Sequence, residues 1–134
     1  MLFSDLTLTP ELQALLRLAM FPDPQRVAAA LTAYANDPTR LVFDWSLRGQ
    51  LVSAAGVQVS GNAAEVLHIG TAAHIRGQGY GRDLLHGIRA HLGVMTLSAD
   101  TDGQAVDFYR QSGFEVVALP PAWGTPRFRC TLSS

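Results

Sequence analysis

The residue types best suited to chemistry gather in one stretch, Arg76-Gly77-Gln78-Gly79-Tyr80-Gly81-Arg82. Glycine at every second position lets the backbone turn sharply and bring several N–H groups close to one ligand. Residues 83–92 follow with Leu84, Leu85, Ile88 and Leu92 at helical spacing. The first N–H groups of such a helix have no partner within it and lie at the positive end of its dipole. Arg76 and Arg82 add charge on either side, so the stretch has the make-up of a pyrophosphate site. The plainer reading, a turn that only lets a strand and a helix pack closely, explains the glycines but not the whole composite. Spacing excludes two familiar phosphate loops. A dinucleotide G-x-G-x-x-G would need glycine where Arg82 or Leu84 stands, and a P-loop would need a Gly-Lys pair, which the chain lacks.

The strand expected before this loop, residues 64–71, carries two groups that could move protons. In strict alternation Glu65 shares a face with Leu67, Ile69 and Thr71, and His68 points to the other. Glu65 reads either as a base or as a solvated charge at a strand start. His68 has a suitable intrinsic pKa but reads as a half-buried strand histidine rather than a base. His74, His86 and His91 share no metal-ligand spacing with carboxylates or with Cys130, so no metal is expected.

The loop resembles the acyl-CoA-binding motif of the GNAT superfamily of N-acetyltransferases, [QR]-x-x-G-x-[GA], here Arg76-Gly77-Gln78-Gly79-Tyr80-Gly81. Further on, Ala105-Val106-Asp107-Phe108-Tyr109-Arg110-Gln111-Ser112-Gly113-Phe114 resembles that superfamily's second signature, A-x-x-F-Y-x-x-x-G-F. The two stand in the family's order and at a typical separation, and the likeness runs from about Arg40 to the C-terminus. It implies acetyl-CoA or another acyl-CoA as cosubstrate and direct acyl transfer to an amine. The pyrophosphate would lie on backbone N–H groups of Gln78 to Arg82, and Ile69, Gly70 and Thr71 would meet the pantetheine arm where two parallel strands splay.

By the same resemblance Tyr109 is the candidate general acid that protonates the CoA thiolate; without the motif it would read as a packing aromatic. Phe108 is expected in the core or along the pantetheine channel. Glu65 lies eleven positions before Arg76, where several members place a base, and a water chain serves others. Two departures stand out. Asp102 occupies the place of a cofactor-contacting asparagine, replacing a donor and acceptor with an acceptor alone. Leu97 stands where some protein N-terminal acetyltransferases carry a glutamate, which weakens an analogy with ribosomal-protein acetylation. The acceptor is left open between a small-molecule amine and a protein or peptide amine. A non-catalytic acyl-CoA sensor acting through a partner protein is the alternative function.

The surrounding composition fits one domain over residues 1–134. At 134 residues and 48% hydrophobic, the chain can build a substantial core. Its net charge of −1 gives no electrostatic case for nucleic acid or an anionic membrane. The single cysteine excludes an intrachain disulfide. With no secretory pattern and no membrane-length apolar run, a cytoplasmic protein is expected, as a monomer or homodimer.

The elements that must position the site follow from periodicity and breakers. Residues 1–8 alternate weakly, as a short edge strand. Thr9-Pro10-Glu11 reads as a helix start, with Leu12, Leu15, Leu16 and Ala19 on one face, and Asp23-Pro24 starts a second helix through Val27, Leu31 and Tyr34. Strands are expected over 40–47, 51–59 and 64–71 as an antiparallel meander, then 94–99 parallel to the last. A helix over 104–111 ends at Gly113. Strands over 114–119 and 127–132 flank a Pro120-Pro121-Ala122-Trp123-Gly124 loop, whose tryptophan reads as an acceptor-pocket wall or a packing plug. The result is an α+β fold with one mixed, mostly antiparallel sheet flanked by helices and splayed at the acyl-CoA site.

Overall fold

In the computed structural model, which describes residues 1–5 and 7–133, one seven-stranded sheet forms the middle layer. Its strands are β1 (Leu2–Asp5), β2 (Arg40–Leu47), β3 (Gln50–Ser60), β4 (Ala63–Thr71), β5 (Thr96–Asp102), β6 (Glu115–Ala122) and β7 (Thr125–Ser133). They lie in the order β1-β2-β3-β4-β5-β7-β6. The expected edge strand is present as β1; Leu6, within the stretch read as that strand, lies outside the described residues. Only β4 and β5 pair in parallel; the other neighbours are antiparallel.

Helices cover both faces. On one, α1 (Pro10–Arg17) and α2 (Pro24–Asn36) pack Leu12, Leu15, Leu16 and Tyr34 against Val42 and Ala54. Thr9 caps α1 by accepting from the Leu12 N–H, and Asp23 caps α2 by accepting from the Gln25 N–H. The chain turns after Arg17, which leaves Ala19 exposed instead of on the buried stripe. On the other face, α3 (Tyr80–Leu92) and α4 (Val106–Gln111) pack Leu84, Leu85, Ile88, Val106 and Tyr109 onto the larger core. Leu16, Leu84, Leu85 and Ile88 are fully buried, each worth about 1.5–3 kcal/mol against exposure.

The α1–α2 layer is fastened to the sheet at glycines. A Cβ on Gly56 of β3 would overlap the ring and hydroxyl of Tyr34, so only glycine admits that side chain from α2. Gly70 of β4 likewise lies directly under the Leu15 carbonyl of α1.

Two expectations about the strands are corrected. The pairing of β3 with β4 slips between Gly56 and Val57: Gly56 faces His68 and Val57 faces Val66, so Leu67 is an extra residue. Ala64 and Val66 before it, and Ile69 after it, belong to the α3-side core. Leu67 and His68 instead meet the α1–α2 side. Alternation therefore changes phase, and Glu65 shares a face with His68 and Gly70 rather than with Ile69 and Thr71. The second correction concerns the proline-rich loop. β6 continues through Pro120, Pro121 and Ala122, Ala122 pairs with Thr125, and the turn is Trp123-Gly124 alone, both at positive φ (56° and 73°). That is the backbone shape of a two-residue hairpin turn.

Candidate active site

The parallel pairing of β4 and β5 stops after three residue pairs, the last being Glu65 with Ser98. Beyond it the strands part, because β4 bends at its bulge and is held to β3, while β5 stays in register with β7 as far as Asp102. Ser53 Oγ, fully buried, donates to the Gly70 carbonyl and lies 3.0 Å from Thr71 Oγ1, which fixes the end of β4. The gap opens into a cleft of about 1030 Å3 that passes through the sheet. Arg82 and Phe108 border it on the α3–α4 side, and Leu18 and Ala19 on the α1 side.

The glycine loop forms one mouth of this cleft. Gly77 and Gly79 have φ of 83° and 86°, a left-handed shape that costs any other residue about 1–2 kcal/mol. α3 begins at Tyr80, three residues earlier than its apolar pattern indicates, so Gly81 and Arg82 lie in its first turn. Gly79 occupies the cap position and no side chain caps the helix, which leaves the leading N–H groups to a ligand. Gly81 has a different role: a Cβ there would stand 3.0 Å from the Phe108 ring, so its absence lets α3 approach α4. Arg76 Nε donates to the Thr71 carbonyl at 3.2 Å, tying the loop to the end of β4. This cradle fits a pyrophosphate with a thin arm leading into the splay.

Deeper in, Tyr109 is 5% exposed and stands edge-on to Phe108 and Phe114, with ring centroids 5.0 and 5.3 Å away. Burial pushes its phenol well up, with a smaller contribution from Cys130, so the hydroxyl keeps its proton at neutral pH. Every residue expected at the cofactor site, together with Tyr109, borders the cleft. Glu65 does not: it lies exposed on β4 in the last paired position before the strands part, within the electrostatic reach of Arg129.

The sequence matches the acetyltransferase (GNAT) domain family over residues 32–116, more than half of the chain. The chain belongs to the GNAT acetyltransferase family. No curated protein matches the sequence. Solved GNAT-type structures share its fold along nearly its whole length. A Bacillus subtilis acetyltransferase in complex with CoA is 17% identical, with 99% of this chain and 97% of that one covered and a TM-score of 0.75. An aminoglycoside 6′-N-acetyltransferase from Enterococcus faecium is 19% identical, with 99% and 96% covered and a TM-score of 0.77. The ribosomal-protein-S18-alanine N-acetyltransferase from Escherichia coli is 20% identical, with 99% and 94% covered and a TM-score of 0.71.

Within this GNAT chain the far side of the cleft holds residues that strand periodicity alone does not single out. Asp100 and Arg127 border it from β5 and β7. Arg129 grips Asp100 through two hydrogen bonds of 2.8 and 3.0 Å and holds its carboxyl below the usual range. Asp102 accepts from the N–H groups of Gln104 and Ala105 through Oδ1, so the carboxylate that replaces asparagine orders the turn into α4. His68 also borders the cleft, and its Nδ1 lies 2.6 Å from the Tyr34 hydroxyl. Thirty-four residues separate the two in sequence, so no local pattern links them. Trp123 neither walls a pocket nor fills the core: it is fully exposed at the hairpin tip, because both turn positions project away from the sheet. Among the described residues no group of three or more His, Cys, Asp or Glu could hold a metal, and no helix is long and apolar enough to cross a membrane.

Proposed function

We propose that this GNAT chain transfers an acetyl group from acetyl-CoA directly to a primary amine, with the whole chain acting as one domain. The observation that carries the reading is the continuity of one cleft. It runs from an uncapped, glycine-started helix N-terminus, through the gap between β4 and β5, past a buried tyrosine, to an open mouth beside α1. The pyrophosphate would rest on the N–H groups of residues 78–82, with Arg76 and Arg82 beside it. The pantetheine arm would follow Ile69, Gly70 and Thr71 along β4, with Phe108 as a wall. Asp102 would stand near the arm as an acceptor only.

Acyl transfer requires a neutral amine, a stabilised oxyanion and a proton for the leaving thiolate. Backbone N–H groups at the parted end of β4 serve the oxyanion, and Tyr109, held neutral by burial, supplies the proton to sulfur. Relatives of this fold are named for aminoglycosides and for a ribosomal-protein alanine, so a small-molecule amine and a protein or peptide amine both suit the open mouth. The reaction belongs in the cytoplasm, where acyl-CoA is made. A sensor that binds acyl-CoA without turning it over would not need a cleft open at both faces.

Calorimetry with acetyl-CoA and CoA, beside ATP and NADH, tests the reading on the wild type and on Gly79→Trp. Micromolar binding of the two CoA ligands alone, lost in the variant, is expected. Tyr109→Phe should then keep that binding and lower thiol release from acetyl-CoA by about 100-fold or more. Equal or absent binding of all four ligands would overturn the acyl-CoA reading.

A further inference from the structure

We propose that His68 is the general base that takes the proton from the acceptor amine, and that Tyr34 is the residue that positions it; this rests on the acyl-transfer reading of the cleft. In direct transfer the acceptor must enter from the mouth that CoA leaves free, which is the α1 side. The extra residue at Leu67 turns His68 onto that side and Ile69 and Thr71 onto the other. A one-residue irregularity thus places the imidazole on one face of a short strand and Ile69 and Thr71, two of the expected pantetheine contacts, on the other.

The other titratable groups that face this mouth are committed elsewhere. Asp100 is held by Arg129, Asp102 spends an oxygen on the turn into α4, and Glu65 stands outside the cleft. Arg127 across the splay is a cation and cannot accept a proton at neutral pH. Asp5 and Asp44 lie on the same sheet face, but at its β1–β2 end, three and two strands away from His68. His68 retains a nitrogen lone pair. Its Nδ1 engages the Tyr34 hydroxyl at 2.6 Å, and the rings meet edge-on with centroids 5.7 Å apart. Gly56 beneath the tyrosine is what allows this approach.

To act as the base, His68 would carry its proton on Nδ1 and donate it to the tyrosine oxygen 2.6 Å away, leaving Nε2 unprotonated. Burial lowers the His68 pKa and Arg40 lowers it further, so the ring is neutral at neutral pH. As the amine nitrogen bonds to the acetyl carbonyl carbon, Nε2 takes one proton from that nitrogen. The C–S bond then breaks, the thiolate takes the Tyr109 proton, and solvent returns the proton from His68 to Tyr109. The products are the N-acetylated amine and CoA thiol.

Two measurements on the intact chain decide the matter. Nitrogen-15 histidine spectra, assigned with His68→Gln, should show an unprotonated Nε2 on His68 and a titration below the ordinary histidine value. Tyr34→Phe should shift the ring toward the Nε2–H form. In thiol-release assays with acetyl-CoA and kanamycin, and with water alone as nucleophile, His68→Gln should lose about 100-fold in kcat while CoA binding is unchanged. Tyr34→Phe should lower kcat with little change in KM for acetyl-CoA. A protonated Nε2 in the wild type, or undiminished turnover in His68→Gln, would overturn the proposal. Failure of the wild type to bind CoA would instead defeat the acyl-transfer reading, and the nitrogen spectra would still report on the Tyr34–His68 pair.

Discussion

Replacing Gly56 by alanine tests how the α1–α2 layer is fastened to the sheet. In a strand this change ordinarily removes unfolded-state freedom and is favourable by roughly 0.5–1 kcal/mol. Here the added methyl would overlap the Tyr34 hydroxyl and ring. Restoring contact distances of about 3.5–4.0 Å moves the ring by more than roughly 1 Å. That breaks its 2.6 Å hydrogen bond to His68. Overpacking costs about 1–3 kcal/mol, and the lost hydrogen bond costs about 1 kcal/mol more. Less the gain from reduced unfolded-state freedom, the expected loss is about 1–3 kcal/mol, a fall in Tm on the order of 5–10 °C for a chain of this length. Denaturant unfolding of the single variants and the pair with Tyr34→Leu, which shortens the side chain, gives the coupling. In the Tyr34→Leu background Gly56→Ala should be neutral or stabilising. An equal loss in both backgrounds would refute the steric account.

Two further outcomes follow from buried groups. Asp5 has its carboxyl raised from 3.8 to about 7 by burial, with Asp44 beside it adding to the rise. Between those values the folded state holds more protons than the unfolded state, so stability falls as pH rises from about 4 to about 7. Asp5→Asn should therefore raise the unfolding midpoint above pH 7 and leave it unchanged near pH 4. Cys130 is fully buried in β7 and burial raises its thiol pKa, so a thiol reagent should label the native chain only at the rate of unfolding, and Cys130→Ser should destabilise by about 1–3 kcal/mol through an unpaired hydroxyl.

The parts of the site legible in the sequence are those built from consecutive residues. Strand, glycine loop and helix reveal themselves through composition and a change of period, and the loop from Arg76 to Arg82 lies where that pattern places it. Phe108 and Tyr109 border the same cleft because α4 follows β5 by a short turn ordered by Asp102. What escaped depends on pairing between distant segments. Period-2 counting along β4 assigns faces correctly up to Leu67 and wrongly from His68 on, since the bulge is set by the register with β3, which no local signal in β4 announces. The Tyr34–His68 contact has the same origin, an α2 residue crossing a β3 glycine to reach β4. The hairpin tip escaped for another reason. Two prolines read as a loop, yet the register shift between Leu119 and Ala122 leaves both without a partner on β7, so their missing N–H groups cost no ladder bond.

Those prolines also bear on how the protein behaves when crowded. β6 is the last strand at its end of the sheet, and Pro120 and Pro121 offer no N–H along its final stretch. An incoming strand would find carbonyls there but no matching donors, so strand-by-strand accretion, the route by which exposed sheet edges seed fibrils, has no continuous template at that border.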